Sequence, residues 1–79
     1  MKIHIKYYAA IRDLIGLSNE DIEVMEGTQL GSFVNMIKEK NVQIKDLVLL
    51  VAVNEKYSSS ERILIEGDRV ALFPPVSGG

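Results

Sequence analysis

Cysteine and tryptophan are absent from this 79-residue chain, and histidine occurs once, as His4. Without thiols there is no disulfide, no thiolate metal site and no cysteine nucleophile. A zinc site would need three carboxylates beside the lone imidazole, an improbable ligand set, so no metal is expected. No stretch reaches the roughly 20 apolar residues of a membrane-spanning helix. The longest apolar run, Leu47 to Val53, is of strand length. The N-terminus lacks the form of a signal peptide. Nine basic residues against eleven acidic ones leave a net charge of −2 and a pI near 5.3, with no cationic excess for a phosphate backbone. These absences point to one small cytoplasmic domain, free of metal and bound cofactor, with neither nucleic acid nor membrane as a partner.

An apolar fraction of 47% suits a compact core, although a domain near this size buries only about 60–65% of its unfolded surface. Ile3, Ile5 and Tyr7 alternate with His4, Lys6 and Tyr8, the period of a half-buried strand. Ile11, Leu14 and Ile15 then fall at helical spacing, and Gly16 suits the left-handed position that ends a helix. Alternation resumes from Glu20 to Met25 and stops at Gly27. Thr28 is the expected N-cap of the main helix, whose apolar stripe is Leu30, Phe33, Val34 and Ile37. Lys38-Glu39-Lys40 closes it, with both lysines near the negative end of the helix dipole.

Leu47 to Val53 shows no alternation, as for a strand covered on both faces. Period alone leaves a helix open, but length and β-branched content favour strand. Asn54-Glu55-Lys56 reads as a turn into a short segment around Tyr57, and Ser58-Ser59-Ser60 as exposed. Ile63-Leu64-Ile65 is a short apolar segment. Glu66-Gly67-Asp68 has turn chemistry. Arg69 to Phe73 forms a last strand that must end at Pro74, which has no N–H to donate. One main helix and several strands imply an α+β roll, with the helix across one face of the sheet. The first and last strands are expected at its centre; if they pair side by side, they would be parallel neighbours.

Val76-Ser77-Gly78-Gly79 follows Pro74-Pro75, so the domain is expected over 1–74 and an extended tail over 75–79. Two readings of the tail are open. Glycine-rich ends commonly fray, and prolines commonly terminate exposed strands. Alternatively, the prolines stiffen the root of a segment that reaches about 20 Å when extended, tipped by the slimmest backbone a protein offers. Such a tip can enter a narrow channel. Adenylation with ATP would make its carbonyl electrophilic. A sulfur nucleophile would then leave a thiocarboxylate, and an amine an isopeptide bond. With no cysteine present, carried sulfur would have to sit on the backbone terminus.

Strand parity places Tyr8 with His4 and Lys6, and Phe73 with Arg69 and Ala71, on the less buried face near the tail's root. Tyr57 is a candidate to join them. Exposed aromatics anchor interfaces; folding over the sheet edge as satellite core is the alternative for each. His4 reads as structural or exposed rather than as a general base. The carboxylate pairs Glu20-Asp21 and Glu66 with Asp68 read as solvated surface charge. No residue is equipped to catalyse alone.

The ending Glu66-Gly67-Asp68-Arg69-Val70-Ala71-Leu72-Phe73-Pro74-Pro75-Val76-Ser77-Gly78-Gly79 resembles the small, sulfur-carrier subunits of molybdopterin synthase. The opening Ile5 to Gly16 and the Val51-Ala52-Val53-Asn54 segment are similar to that family as well. The last motif is shared with thiamine sulfur carriers. The resemblance implies a ubiquitin-like β-grasp fold: a mixed sheet, one main helix and a flexible C-terminal tail. It implies that a ubiquitin-activator-like adenylyltransferase uses ATP to adenylate Gly79, which is then thiocarboxylated. The tail, from Pro75 and Val76 through Ser77 and Gly78, would enter the large synthase subunit. Sulfur would there attack cyclic pyranopterin monophosphate in building the dithiolene of molybdopterin, within a heterotetramer of two small and two large subunits.

By the same resemblance, Phe73, Tyr8 and Tyr57 fall on the hydrophobic patch that faces both partners. The two tyrosines depart from the more usual apolar residues there, and Leu72 stands where a second Phe is frequent. Arg12 matches a family arginine; a surface ion pair is its default role. The alternatives are a thiamine-thiazole sulfur carrier, opposed by Phe73-Pro74-Pro75 and by the longer inter-strand segment, and a ubiquitin-like protein modifier.

Overall fold

The computed structural model describes residues 1–75. Strands β1 (Lys2–Tyr7), β2 (Asn19–Glu23), β3 (Leu50–Val53), β4 (Lys56–Tyr57) and β5 (Arg69–Phe73) form one sheet in the order β2-β1-β5-β3-β4. Helices α1 (Ala9–Ile15) and α2 (Leu30–Lys40) and a 3₁₀ turn (Val42–Ile44) complete the domain. β1 and β5 are parallel neighbours, with Ile5 opposite Val70 and Tyr7 opposite Leu72. The other strand pairs are antiparallel. This mixed sheet under one main helix is the expected β-grasp roll.

The alternation in β1 becomes burial: Ile3, Ile5 and Tyr7 lie in the core, while Lys2, His4 and Lys6 are exposed. Val70 and Leu72 of β5 join them, and α2 closes the core with Leu30, Phe33, Val34 and Ile37. Each large side chain buried there contributes about 1.5–3 kcal/mol. Gly16 ends α1 in the left-handed region at φ +87°, its N–H donating to the Arg12 carbonyl at 2.8 Å. Of the predicted α1 stripe, Ile11 is fully buried, Ile15 is half-buried and Leu14 is exposed.

Several expectations change. The N-cap of α2 is Gln29 rather than Thr28, and no side chain caps it. Instead the Leu30 and Gly31 N–H groups donate to the Arg62 and Ser60 carbonyls at 2.7 and 2.8 Å. A distant loop thus supplies the acceptors that a local cap would otherwise provide. Gly31 permits this approach, since a Cβ there would stand 3.0 Å from the Ser60 Cβ. Thr28 donates its hydroxyl backward to the Met25 carbonyl.

The run from Leu47 is strand only from Leu50; Val48 is 73% exposed and Leu47 is also solvent-facing. Its apolar character reports partly on surface, not on a strand covered along its whole length. β2 is likewise shorter than the alternation suggests, ending at Glu23 with Met25 exposed.

Asp68 is a further correction. Among the described residues it is the one charged side chain in the buried set, at 3% exposure, and not a solvated surface charge. Its Oδ1 accepts from the Asn54 amide and its Oδ2 from the Ile65 N–H, both at 2.9 Å. Asn54 in turn accepts the Arg69 N–H through Oδ1 at 2.9 Å. The Val-Ala-Val-Asn and Gly-Asp segments therefore form a single clasp where β3 leaves and β5 enters.

Candidate functional site

Directly paired residues share a face of the sheet, so register shows what the side away from α2 presents. One row across all five strands runs Asn19, Lys6, Ala71, Ala52, Tyr57. The next row holds Phe73 and its partner Leu50, with Tyr8 one residue past the end of β1. Toward the opposite end lie Asp21, His4 and Arg69. All of these except Leu50 border an open concavity of about 670 Å³.

Tyr8 and Phe73 stack with ring centroids 4.5 Å apart and planes 15° from parallel. Both are half-buried. The Lys6 Nζ lies 5.2 Å from the Tyr8 centroid, within cation–π range. Tyr57 stands on the edge strand β4, 74% exposed. All three predicted patch aromatics therefore line one concavity, two as a stacked wall and the third across from them. Ala52 and Ala71 lie between; sequence reading placed Ala71 on this face by parity but gave Ala52 no role. The position of Ala52 emerges only from β3–β5 register.

Pro74 is half-buried and Pro75 exposed immediately after β5. The chain thus leaves the sheet beside the aromatic wall. The predicted tail positions Val76, Ser77, Gly78 and Gly79 lie outside the described residues.

Three titratable groups bordering the concavity are hydrogen-bonded through their side chains. His4 Nδ1 and Asp21 Oδ1 are hydrogen-bonded on the exposed face. Glu20 departs from the solvated reading: it is half-buried, and its Oε2 accepts the Tyr7 hydroxyl at 2.6 Å. Burial, then the hydrogen bond to Glu20 and that group's negative charge, hold the Tyr7 phenol well above the ordinary tyrosine range. Arg12 makes its expected ion pair, Nε to Asp13 Oδ1 at 3.8 Å, with both side chains exposed. Among the described residues no group of three His, Cys, Asp or Glu side chains could hold a metal ion, and no helix is long and apolar enough to cross a membrane. Nothing in this constellation pairs a nucleophile with a base. What it offers is a firm surface beside the root of the tail.

The profile of the ThiS family matches residues 5–79. The chain belongs to the ThiS family. It is 32% identical to a molybdopterin synthase sulfur carrier subunit of Mycobacterium tuberculosis, over 100% of this chain and 99% of the relative. A Pyrococcus furiosus structure, provisionally assigned as molybdopterin converting factor subunit 1, superposes with a TM-score of 0.91 at 34% identity, covering 96% of this chain and 99% of that one. A chain in the complex of subunits 1 and 2 of the Helicobacter pylori molybdopterin-converting factor matches with a TM-score of 0.73 at 25% identity, over 100% of both chains.

Proposed function

We propose that this protein is a cytoplasmic sulfur carrier of molybdenum cofactor biosynthesis, the small subunit of a molybdopterin synthase. The observation that carries the reading is the placement of the Tyr8–Phe73 wall at the point where β5 passes into Pro74-Pro75. A partner gripping that wall receives whatever follows the prolines at a fixed position and direction. The names of the relatives specify the cargo.

In the proposed cycle a ubiquitin-activator-like adenylyltransferase joins the Gly79 carboxylate to AMP from ATP, releasing pyrophosphate. A sulfur nucleophile then attacks the acyl carbon and expels AMP, leaving a thiocarboxylate. Oxide is a poor leaving group from a carboxylate and AMP a good one, which is why activation must come first. The carrier docks on the large synthase subunit through Tyr8, Tyr57 and Phe73. Pro75 through Gly78 occupy its channel, and the terminal sulfur attacks cyclic pyranopterin monophosphate. Hydrolysis of the acyl link returns the carboxylate. The catalytic groups and ATP site belong to the partners; this chain provides the handle and the reacting terminus. Two carriers and two large subunits would form the heterotetramer.

Incubation with the adenylating enzyme, ATP and a sulfur donor, followed by intact mass, tests the loading step. Replacement of oxygen by sulfur adds about 16 mass units. An unchanged mass, or high-mass lysine conjugates in its place, would overturn the proposal.

A further inference from the structure

The two edges of the sheet are guarded unequally. β2 closes one side with Glu20, Asp21 and Glu23, charges that discourage a further strand from pairing. On the other side β4 is only Lys56–Tyr57 and covers no more of β3 than Val53 and Ala52. Beyond it Leu47-Val48-Leu49-Leu50-Val51 carries no charge, proline or glycine, the composition of a segment that pairs readily. The Asn54 N–H donates to the Arg69 carbonyl, and Ala52 and Leu50 meet β5 in the same phase. The N–H and C=O groups of Val53 and Val51 therefore point away from β5. Val53 meets Lys56 there, but β4 ends short of Val51, whose N–H finds no backbone acceptor among the described residues. Leu49 and Val51 pack inward against the core while Val48 is 73% exposed, so the alternation of β3 continues back to Val48. An uncharged groove of about 650 Å³ lies along this edge, its lining including Leu49, Leu50, Val51, Val34, Ser58 and Ser60.

We propose that this edge pairs with the same edge of a second copy of the chain, antiparallel about a two-fold axis at Leu49. Each Leu49 N–H would donate to the partner's Leu49 carbonyl, and each Val51 N–H to the partner's Leu47 carbonyl. The Leu47 N–H is not required, since it already donates to the Ile44 carbonyl at 3.1 Å. Leu49 is the centre that uses the whole of Leu47 to Val51 and stops short of the stretch that β4 covers. Every cross-strand pair in this register is apolar: Leu47 with Val51, Val48 with Leu50, and Leu49 with itself. That self-match is what favours a second copy, because an uncharged edge has nothing to steer an oppositely charged partner. So short an edge makes a small interface, and the pair is weak and dissociates on dilution. Self-pairing does not depend on the sulfur-carrier reading.

Sedimentation equilibrium of the full chain between about 10 µM and 1 mM reads the pairing. The weight-average mass is expected to climb from 8.8 kDa toward twice that value. Amide hydrogen exchange at Leu49 and Val51 is expected to slow several-fold over the same range, while Asp21 on the β2 edge exchanges at an unchanged rate. Val48→Lys sets an ammonium against the partner's Leu50, the device by which natural edge strands block pairing. Its dimer is expected to be weaker by about tenfold or more, with an unchanged thermal midpoint at low concentration, because Val48 is exposed. Val48→Thr, β-branched and uncharged, is expected to pair within about threefold of the unaltered chain. A mass that stays at 8.8 kDa up to about 1 mM overturns the proposal. Association that survives Val48→Lys, or that leaves exchange at Leu49 and Val51 unchanged, overturns this edge in favour of another surface. Slowed exchange at those amides only when the large synthase subunit is added overturns the second copy in favour of a strand from that partner.

Discussion

Tyr8 and Phe73 stack at 4.5 Å between centroids, tying the residue after β1 to the last residue of β5. The two lie 65 positions apart in sequence (73 − 8) and meet because β1 and β5 run parallel in register. The stack therefore couples the outer face of the sheet to the segment that leaves β5 at Pro74.

In a double-mutant cycle with Tyr8→Ala and Phe73→Ala, the coupling energy in urea unfolding is expected to be about 0.5–1.5 kcal/mol. Phe73→Ala should also weaken binding to the large subunit tenfold or more, as for a central aromatic anchor. Additive unfolding energies would show that the rings merely lie near one another.

The Asn54–Asp68 clasp should matter for stability rather than for docking. Asp68→Ala leaves the Ile65 N–H and the Asn54 amide without their part-buried acceptor, at an expected cost of about 1–3 kcal/mol. Arg12→Ala, which breaks only an exposed ion pair, should cost under about 0.5 kcal/mol. Urea midpoints for the two variants check the contrast.

The Asn54-Glu55 turn holds both residues at positive φ, 51° and 72°. Two-residue hairpin loops of this kind favour glycine at the second position, where Glu55 bears a side chain. Glu55→Gly is accordingly expected to stabilise the fold by up to about 1 kcal/mol, several degrees in Tm for a domain of this size. A lowered Tm would mean that the Glu55 side chain contributes more than its backbone costs.

Alkaline pH should find Tyr7. Its folded phenol holds the proton more tightly than the unfolded phenol does, whose ordinary pKa is 10.0. The stabilisation from this group is therefore intact below pH 10 and declines as pH rises above it. Tyr7→Phe removes the titrating group and the bond to Glu20, costing about 1 kcal/mol at neutral pH. Its loss of stability between pH 10 and 11 should be shallower than that of the unaltered chain. Parallel pH profiles for the two proteins would count against this assignment.

Much of the fold is legible because period and burial coincide in it. The alternation from Ile3 to Tyr8 and the strand from Arg69 ending at Pro74 fixed both faces and the place where the chain exits. The stripe Leu30-Phe33-Val34-Ile37 fixed the buried side of α2. What was misread depends on contacts distant in sequence. Thr28 looked like a cap because nothing local reveals that the Ser60 and Arg62 carbonyls meet the helix start. Asp68 looked solvated because turn chemistry does not disclose the Asn54 amide waiting 14 positions earlier. Leu47 and Val48 looked buried because an unbroken apolar run has no period to mark where its strand begins. In the candidate site, parity found Tyr8 and Phe73, whereas Tyr57 and Ala52 acquired their places only through pairing of β3 with β4 and β5.

Single-turnover transfer tests whether Gly79 delivers sulfur. The loaded carrier is mixed with the large subunit and cyclic pyranopterin monophosphate, beside a chain lacking Gly79 that has been through the same loading reaction. The full chain is expected to lose about 16 mass units as the pterin gains sulfur, and the truncated chain, folded by circular dichroism, to transfer none. Sulfur transfer by the truncated chain would contradict delivery by Gly79.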